Sequence, residues 1–406
     1  ASAAAAFLEE HQLGADNTAV LRRVVSDLFE DSLELNAASL FWSSTLLERF
    51  VERLGYDVTP YLPVLFAHGM CRYWVPNEEP VPDFAFADRD DVRIRHDYYR
   101  LLTDLYISDH LLVLQKWAST LGLTYKSQVA YGQNLEPIRS TRALAQAGGR
   151  PEAESLNSGD RIPVSRSHPT WKYALDWQRC VVGGAHQGGT TRVSTELGAQ
   201  FQAGYSFTLE DYRRLLDKEW AAGITRPFVH GFASQAPNAP WPTQDRFGGI
   251  CAQSWNDTNF PEWQNWRALT DYWSRGVAVL ETGAPRTDIA IYRDGFLTTA
   301  ARSALDPSAD FTAPTSLADT DALDSVGYTV QFLDPDGLVQ APVSGTLFPD
   351  GPSYRALVVV DEESMPPNAV EALLAAAAKG LRVVFVGVLP SQAWGFADRH
   401  RHGNLQ

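Results

Sequence analysis

The chain predicts an α/β protein: a (β/α)8 TIM-type barrel over residues 1–285, followed by a doubly wound α/β domain over 286–406. Three observations predict it. Strand-like apolar runs alternate with helix-period runs across short joints, the pattern of parallel βα units. Those runs end in polar residues, and the carboxyl ends of barrel strands are where active-site residues gather. From about residue 286 the character changes to buried-looking strands such as YRALVVVD.

Taken in order, NTAVLRRVVSDLFEDSLELN (17–36) holds an apolar run that ends in Asp31 and Glu34. SSTLLERFVERLGY (43–56) follows as a helix, with Leu46, Leu47, Phe50, Val51 and Leu54 at helical spacing. The Pro-rich, acidic stretch 71–92 reads as a loop. Residues 95–122 form a long amphipathic helix stopped by Gly122, and LTYKSQVAYG (123–132) is a strand. GGRPEAES (148–155) is next, then a polar loop to about 169. WKYALDWQRCVVGGAHQ is a helix and TRVSTELGAQ (191–200) a strand. TLEDYRRLLDKEWAAG opens on Thr208 with Asp211 three residues on, an Asp variant of the capping box, and stops at Gly223. ITRPFVHGF (224–232) is a strand, and a Pro-, Trp- and Gly-rich loop (233–258) leads to one more helix. Five strands are legible where eight close a barrel. Either some escape the pattern, or the first part of the barrel lies outside this chain.

The second half reads strand (TDIAIYRD), helix and strand (316–334), strand (YRALVVVD), helix (NAVEALLAAAAKG), strand (LRVVFVG). That is doubly wound. It resembles the glutamine-amidotransferase-like domain that follows the barrel in several glycosidase families. A working amidotransferase needs a nucleophilic Cys, and residues 286–406 contain none. The expected role is structural.

Composition narrows the function. The net charge is −15, against nucleic acid and anionic membrane as partners. Three cysteines without a C-x-x-C pattern make neither a disulfide framework nor a zinc site. The nearest apolar run, ALLAAAA, is too short to span a membrane. The N-terminal ASAAAAFLEE lacks an initiator Met and a basic region and does not read as an intact signal peptide. Secretion and cytoplasm both stay open. Twelve Trp suit sugar stacking or core filling. Trp263, Trp266 and Trp273, on one helix face, are read as core.

GGRPEAES raises the chemical question. In an extended chain Glu152 and Glu154 point the same way, and two like charges on one face repel. Glycosidic bond cleavage uses two carboxyl groups, one an acid and one a base or nucleophile. Glu154 and Glu196, at the ends of different strands, are the candidate pair. Small Ser194 and Gly198 flank Glu196 and leave room for a ligand. Glu152 either raises the Glu154 pKa by repulsion or shares a cation with it. The bland alternative is a solvated loop. Asp31, Glu34, Gln128, Tyr131, His230 and Trp255 are candidate substrate-binding residues by their place at strand ends or in the 233–258 loop. A lone His such as His230 is more often a satisfied core residue.

Several segments together resemble family 106 glycoside hydrolases, the α-L-rhamnosidases. FEDSLELN…GYDVTPYLPVL is similar to that family's DS-x-E…GYD…PYLP segment, and GGRPEAES to its D-x-PE-x-E segment, with Gly149 where Asp is usual. VSTELGA, RPFVHGFASQAPNAPWP and YWSRGVAVLETGAPRTDIAIY have counterparts in the same order. The resemblance implies a barrel enzyme that removes α-L-rhamnose or a related sugar with inversion, and a calcium ion near the substrate. It carries the general acid to Glu154. Glu196 takes the water-activating role, or binds the cation alongside Glu152. The family's barrel begins upstream with strands that this chain lacks, which implies a longer chain or an assembly of copies. A β-galactosidase-like hydrolase and a non-catalytic carbohydrate-binding barrel are the rival readings.

Overall fold

The computed structural model describes residues 6, 15–31, 33, 40–68, 81–82, 84–88, 90–129, 135–154, 169–198, 207–230, 257, 260–294 and 320–399. Five parallel strands make the first sheet: β1 (Asp27–Glu30), β2 (Thr124–Gln128), β3 (Arg150–Glu154), β4 (Ser194–Leu197) and β5 (Arg226–Val229). They lie side by side in chain order, as strands of a barrel do, and form a half-barrel. Helix α1 (Ala15–Val24) precedes β1. Helices α2 (Leu46–Leu54), α3 (Asp90–Leu105) and α4 (Leu112–Thr120) link β1 to β2. Then α5 (Pro137–Gln146), α6 (Pro169–Gln187) and α7 (Leu209–Ala222) return the chain between later strands, and α8 (Trp266–Leu280) follows β5.

The second sheet is also parallel: β6 (Ile289–Tyr292), β7 (Val330–Leu333), β8 (Ala356–Val360) and β9 (Arg382–Val386), in the order β9-β8-β6-β7. The order reverses beside β6, which is the doubly wound pattern. Helices α9 (Thr320–Ser325), α10 (Pro335–Gln340) and α11 (Pro367–Ala378) accompany it.

Helix α6 joins the two sheets. One side, Trp177, Val181, Val182 and Ala185, packs on Val129, Ala153 and Val193 of the first sheet. Cys180 packs on Ile289, Ile291, Val330 and Phe332 of the second. Glycines permit this closeness. A Cβ on Gly183 would stand 2.8 Å from the Phe332 carbonyl oxygen, and one on Gly184 only 2.3 Å from that of Ile138. Buried polar groups complete the seam. The Arg142 guanidinium pairs with Asp334, both almost fully buried. Gln187 Nε2 donates to the Phe332 carbonyl at 2.8 Å, and Arg179 pairs with Asp324 at 2.8 Å.

Several sequence expectations change in detail. The apolar run of 17–36 splits into α1 and β1. The long helix begins at Asp90, inside the expected loop, and passes through a π-helical turn at Tyr106–Leu111 into α4. It is less amphipathic than its periodicity implies, because Asp91, Arg95, His96 and Asp97 are buried and paired with one another or with the rest of the chain. Helix α5 was not expected at all. Its signals were present: Glu136 caps it by accepting from Arg139 N at 2.7 Å, Pro137 opens it, and Gly148, just beyond its end, takes a positive φ. The Thr208–Asp211 capping box and the Gly223 stop are as read. The three tryptophans pack, half-buried, around Leu269 and Phe260, with Trp263 and Trp266 stacked at 6.3 Å.

Candidate active site

Alternation sorts the first sheet into two faces. Leu28, Tyr125, Val129, Ala153, Val193 and Leu197 face the helices, where they join apolar clusters. The intervening residues therefore face the hollow side: Phe29, Lys126, Gln128, Glu152, Ser194, Glu196 and Phe228. Parallel pairing sets their neighbours. Glu152 is in register with Ser194, and Glu154 with Glu196.

Glu152 is the best-defined acid of this face, only 1% exposed. Its carboxylate pairs with the Lys126 ammonium and accepts from Ser194 Oγ at 2.5 Å, while its second oxygen, Oε1, is buried without a hydrogen-bond partner. Burial pushes the Glu152 carboxyl above its ordinary value, and Lys126 and Ser194 pull it back only in part. Lys126 in turn lies between two aromatic rings, 4.4 Å from the Phe29 centroid and 4.1 Å from that of Phe228. Both rings are half exposed, so the hollow side is lined by apolar faces beside charge, a surface suited to a sugar.

Glu196 is partly exposed, with its Oε2 3.8 Å from His230 Nε2. His230 follows β5 and extends its ladder by donating its backbone N–H to Leu197 O at 2.9 Å. Burial holds its imidazole below the usual value, and the charge of Asp31 offsets this in part. Asp31 follows β1 and is exposed. The structure therefore gathers Asp31, Glu152, Glu196 and His230 at the carboxyl ends of four strands, with Gln128 buried on the fifth. Glu154 closes β3 in backbone terms, but its side chain lies outside the described residues, as do Glu34, Tyr131 and Trp255.

One part of the sequence reading is revised, and the cation site it expected lies partly outside the described residues. Glu152 does not stand as a bare charge beside Glu154, because Lys126 neutralises it. Nor do the described residues around Glu152 fit a calcium ion: a hard cation takes several oxygen ligands, and here an ammonium already sits against the carboxylate. Among the described residues no group of three His, Cys, Asp or Glu side chains is placed to hold a metal. Lys126 itself was passed over. Its signal was parity, a cation two residues before Gln128 on a strand otherwise buried.

The chain matches the family model of glycoside hydrolase family 106, described as alpha-L-rhamnosidase, over residues 4–404. This chain belongs to that family. Among solved structures, the chain is similar to a rhamnosidase from Novosphingobium sp. PP1Y, at 20% identity and a TM-score of 0.67. That match covers 97% of this chain and 34% of the other, so the chain spans about a third of the length of that rhamnosidase. Gan42B, a GH42 beta-galactosidase from G. stearothermophilus, is similar at 11% identity and a TM-score of 0.51, covering 86% of this chain and 49% of the other. At such identities the likeness shows the fold alone. No curated protein matches the chain.

Proposed function

We propose that this chain supplies half of a barrel active site in a glycoside hydrolase that releases terminal α-L-rhamnose, or a related sugar, from glycosides or polysaccharide. Family membership supports the sugar class, and one structural observation supports the chemistry. The register sets Glu154 beside Glu196 at the carboxyl ends of adjacent parallel strands, next to His230. In this reading Glu154 protonates the leaving oxygen and Glu196 deprotonates a water on the opposite face of the ring, so the configuration inverts. Phe29 and Phe228 offer stacking faces, and Asp31, Gln128 and His230 offer polar contacts to ring hydroxyls. Residues 286–406 act as an accessory α/β domain that braces the barrel through α6.

Adjacency of the two acids favours one second reading. Backbones of neighbouring strands lie about 5 Å apart. Inversion requires the carboxyl groups to diverge to about 6.5–9.5 Å, whereas about 5 Å suits a retaining double displacement. The first-formed anomer decides between them. Nuclear magnetic resonance of a running reaction on an aryl α-L-rhamnoside should show β-rhamnose first, and α-rhamnose first would replace the single displacement by the double one. A parallel panel of aryl glycosides tests the substrate class. Hydrolysis of β-galactosides but no rhamnoside would reject the proposal, and sugar binding in calorimetry without product would leave a binding module instead.

A further inference from the structure

The positive charge beside Glu152 belongs to the protein. We propose that Lys126 is the resident cation of this site, its ammonium taking the place of a divalent metal ion, so that the site needs and binds no calcium. This rests on reading the hollow face of the first sheet as the sugar site.

Two features of the described residues lead there. A carboxylate as buried as Glu152 requires a counter-charge, because an unpaired ion in a low-dielectric setting is expensive. Lys126 meets that requirement directly, and its position is over-determined. It is held by the carboxylate on one side and by the Phe29 and Phe228 ring faces on the others. A lysine so held is a compact point charge, the closest a side chain comes to a metal ion.

The ligand environment points the same way. A calcium ion takes six to eight oxygens, usually several of them anionic. A divalent ion at Glu152 would meet repulsion from the Lys126 ammonium that already pairs with its carboxylate.

The test is calorimetry and kinetics on the natural protein stripped with EDTA. Titration with calcium chloride should give no binding heat, calcium should not move the melting temperature, and hydrolysis of an aryl α-L-rhamnoside should stay within about twofold after stripping. Calcium binding by the stripped wild type, or a rate that collapses on stripping and returns with calcium, overturns the proposal. Lys126→Met keeps the stem and removes the charge. It should acquire calcium binding, seen as heat and as a calcium-dependent rise in melting temperature, whereas Lys126→Arg should stay indifferent to calcium. Equal indifference of a folded Lys126→Met would remove Lys126 from the role. If Lys126→Met does not fold, the wild-type titration alone still decides. If no rhamnoside is hydrolysed, the functional reading fails, while the calorimetric arms continue to report on Lys126.

Discussion

Both parallel sheets end in acids, and the two ends do opposite things with them. At the first sheet Asp31 and Glu196 keep some contact with solvent, and His230 Nε2 stands 3.8 Å from Glu196 Oε2. At the second sheet Asp334 and Asp294 are sealed, while Asp361 at the end of β8 stays exposed. Asp334 is locked to Arg142 and caps α10 by accepting from Gly337 N at 3.2 Å. Asp294 lies past the end of β6, at the point where the strand order reverses and a doubly wound sheet would hold a ligand. His96 of α3 fills that place. Its Nε2 is 3.0 Å from Asp294, and its ring stacks on Trp394 at 4.7 Å. Each sheet therefore offers a carboxyl-end face, and packing decides which stays a site. A strand-end acid facing a hollow remains available for chemistry, and one facing a neighbouring helix with Arg or His becomes part of the framework.

The largest expected effect separates the two ends directly. Glu154→Gln should lower turnover on a substrate with a poor leaving group by roughly 10²–10⁴-fold, with much less loss on an activated aryl glycoside and no change in melting temperature. Equal losses on both substrates would take the acid role away from Glu154. At the sealed end the cost should appear in stability. Arg142→Leu leaves Asp334 buried and uncompensated, and urea denaturation should record a loss of about 3–5 kcal/mol. Arg142→Leu with Asp334→Leu should recover most of it, and no recovery would mean that the pair does more than balance charge.

The next test uses pH. Burial pulls the His96 ring down, but Asp294 and Asp97 outweigh it and carry it up to about 9. Because the folded value lies above the unfolded 6.5, the folded protein holds this proton more tightly. The stabilisation is complete below pH 6.5 and lost as pH rises through about 9, an effect of about 3 kcal/mol. Glu362, which burial and neighbouring Asp294 push up to about 8, acts in the same direction. Urea midpoints across this range should fall for the wild type and fall less for His96→Gln. A flat wild-type profile would mean that His96 is neutral in the fold. The smallest effect belongs to the layer between the sheets. Gly184→Ala puts a methyl against Thr141 and the Ile138 carbonyl and should cost about 1–3 kcal/mol with turnover retained.

Legibility followed the same division. The strands, their carboxyl-end acids and the Thr208 cap were readable, because alternation and capping are properties of a few consecutive residues. Helix α5 was not, because RSTRALAQ carries Ser140, Thr141 and Arg142 on a buried face, where Arg142 bonds to distant Asp334 and the Thr141 hydroxyl donates back to the Pro137 carbonyl. A helix whose polar residues point inward has no amphipathic signature of the usual sign. The same cause hid the helical start at Asp90. In the site, Glu152 was recognised as unusual, but its partner Lys126 was not, since a pairing across β2 and β3 depends on register.

By itself the sequence determined the order of βα units, the change of character near 286, the family and the acids at the strand ends. Each depends on local periodicity or on a short motif. Only the tertiary structure decided that α6 serves both sheets, that Lys126 neutralises Glu152, and that the second crevice is closed by His96. Those outcomes depend on which residues meet across long stretches of chain, and charge and burial act between neighbours in space whatever their distance in sequence.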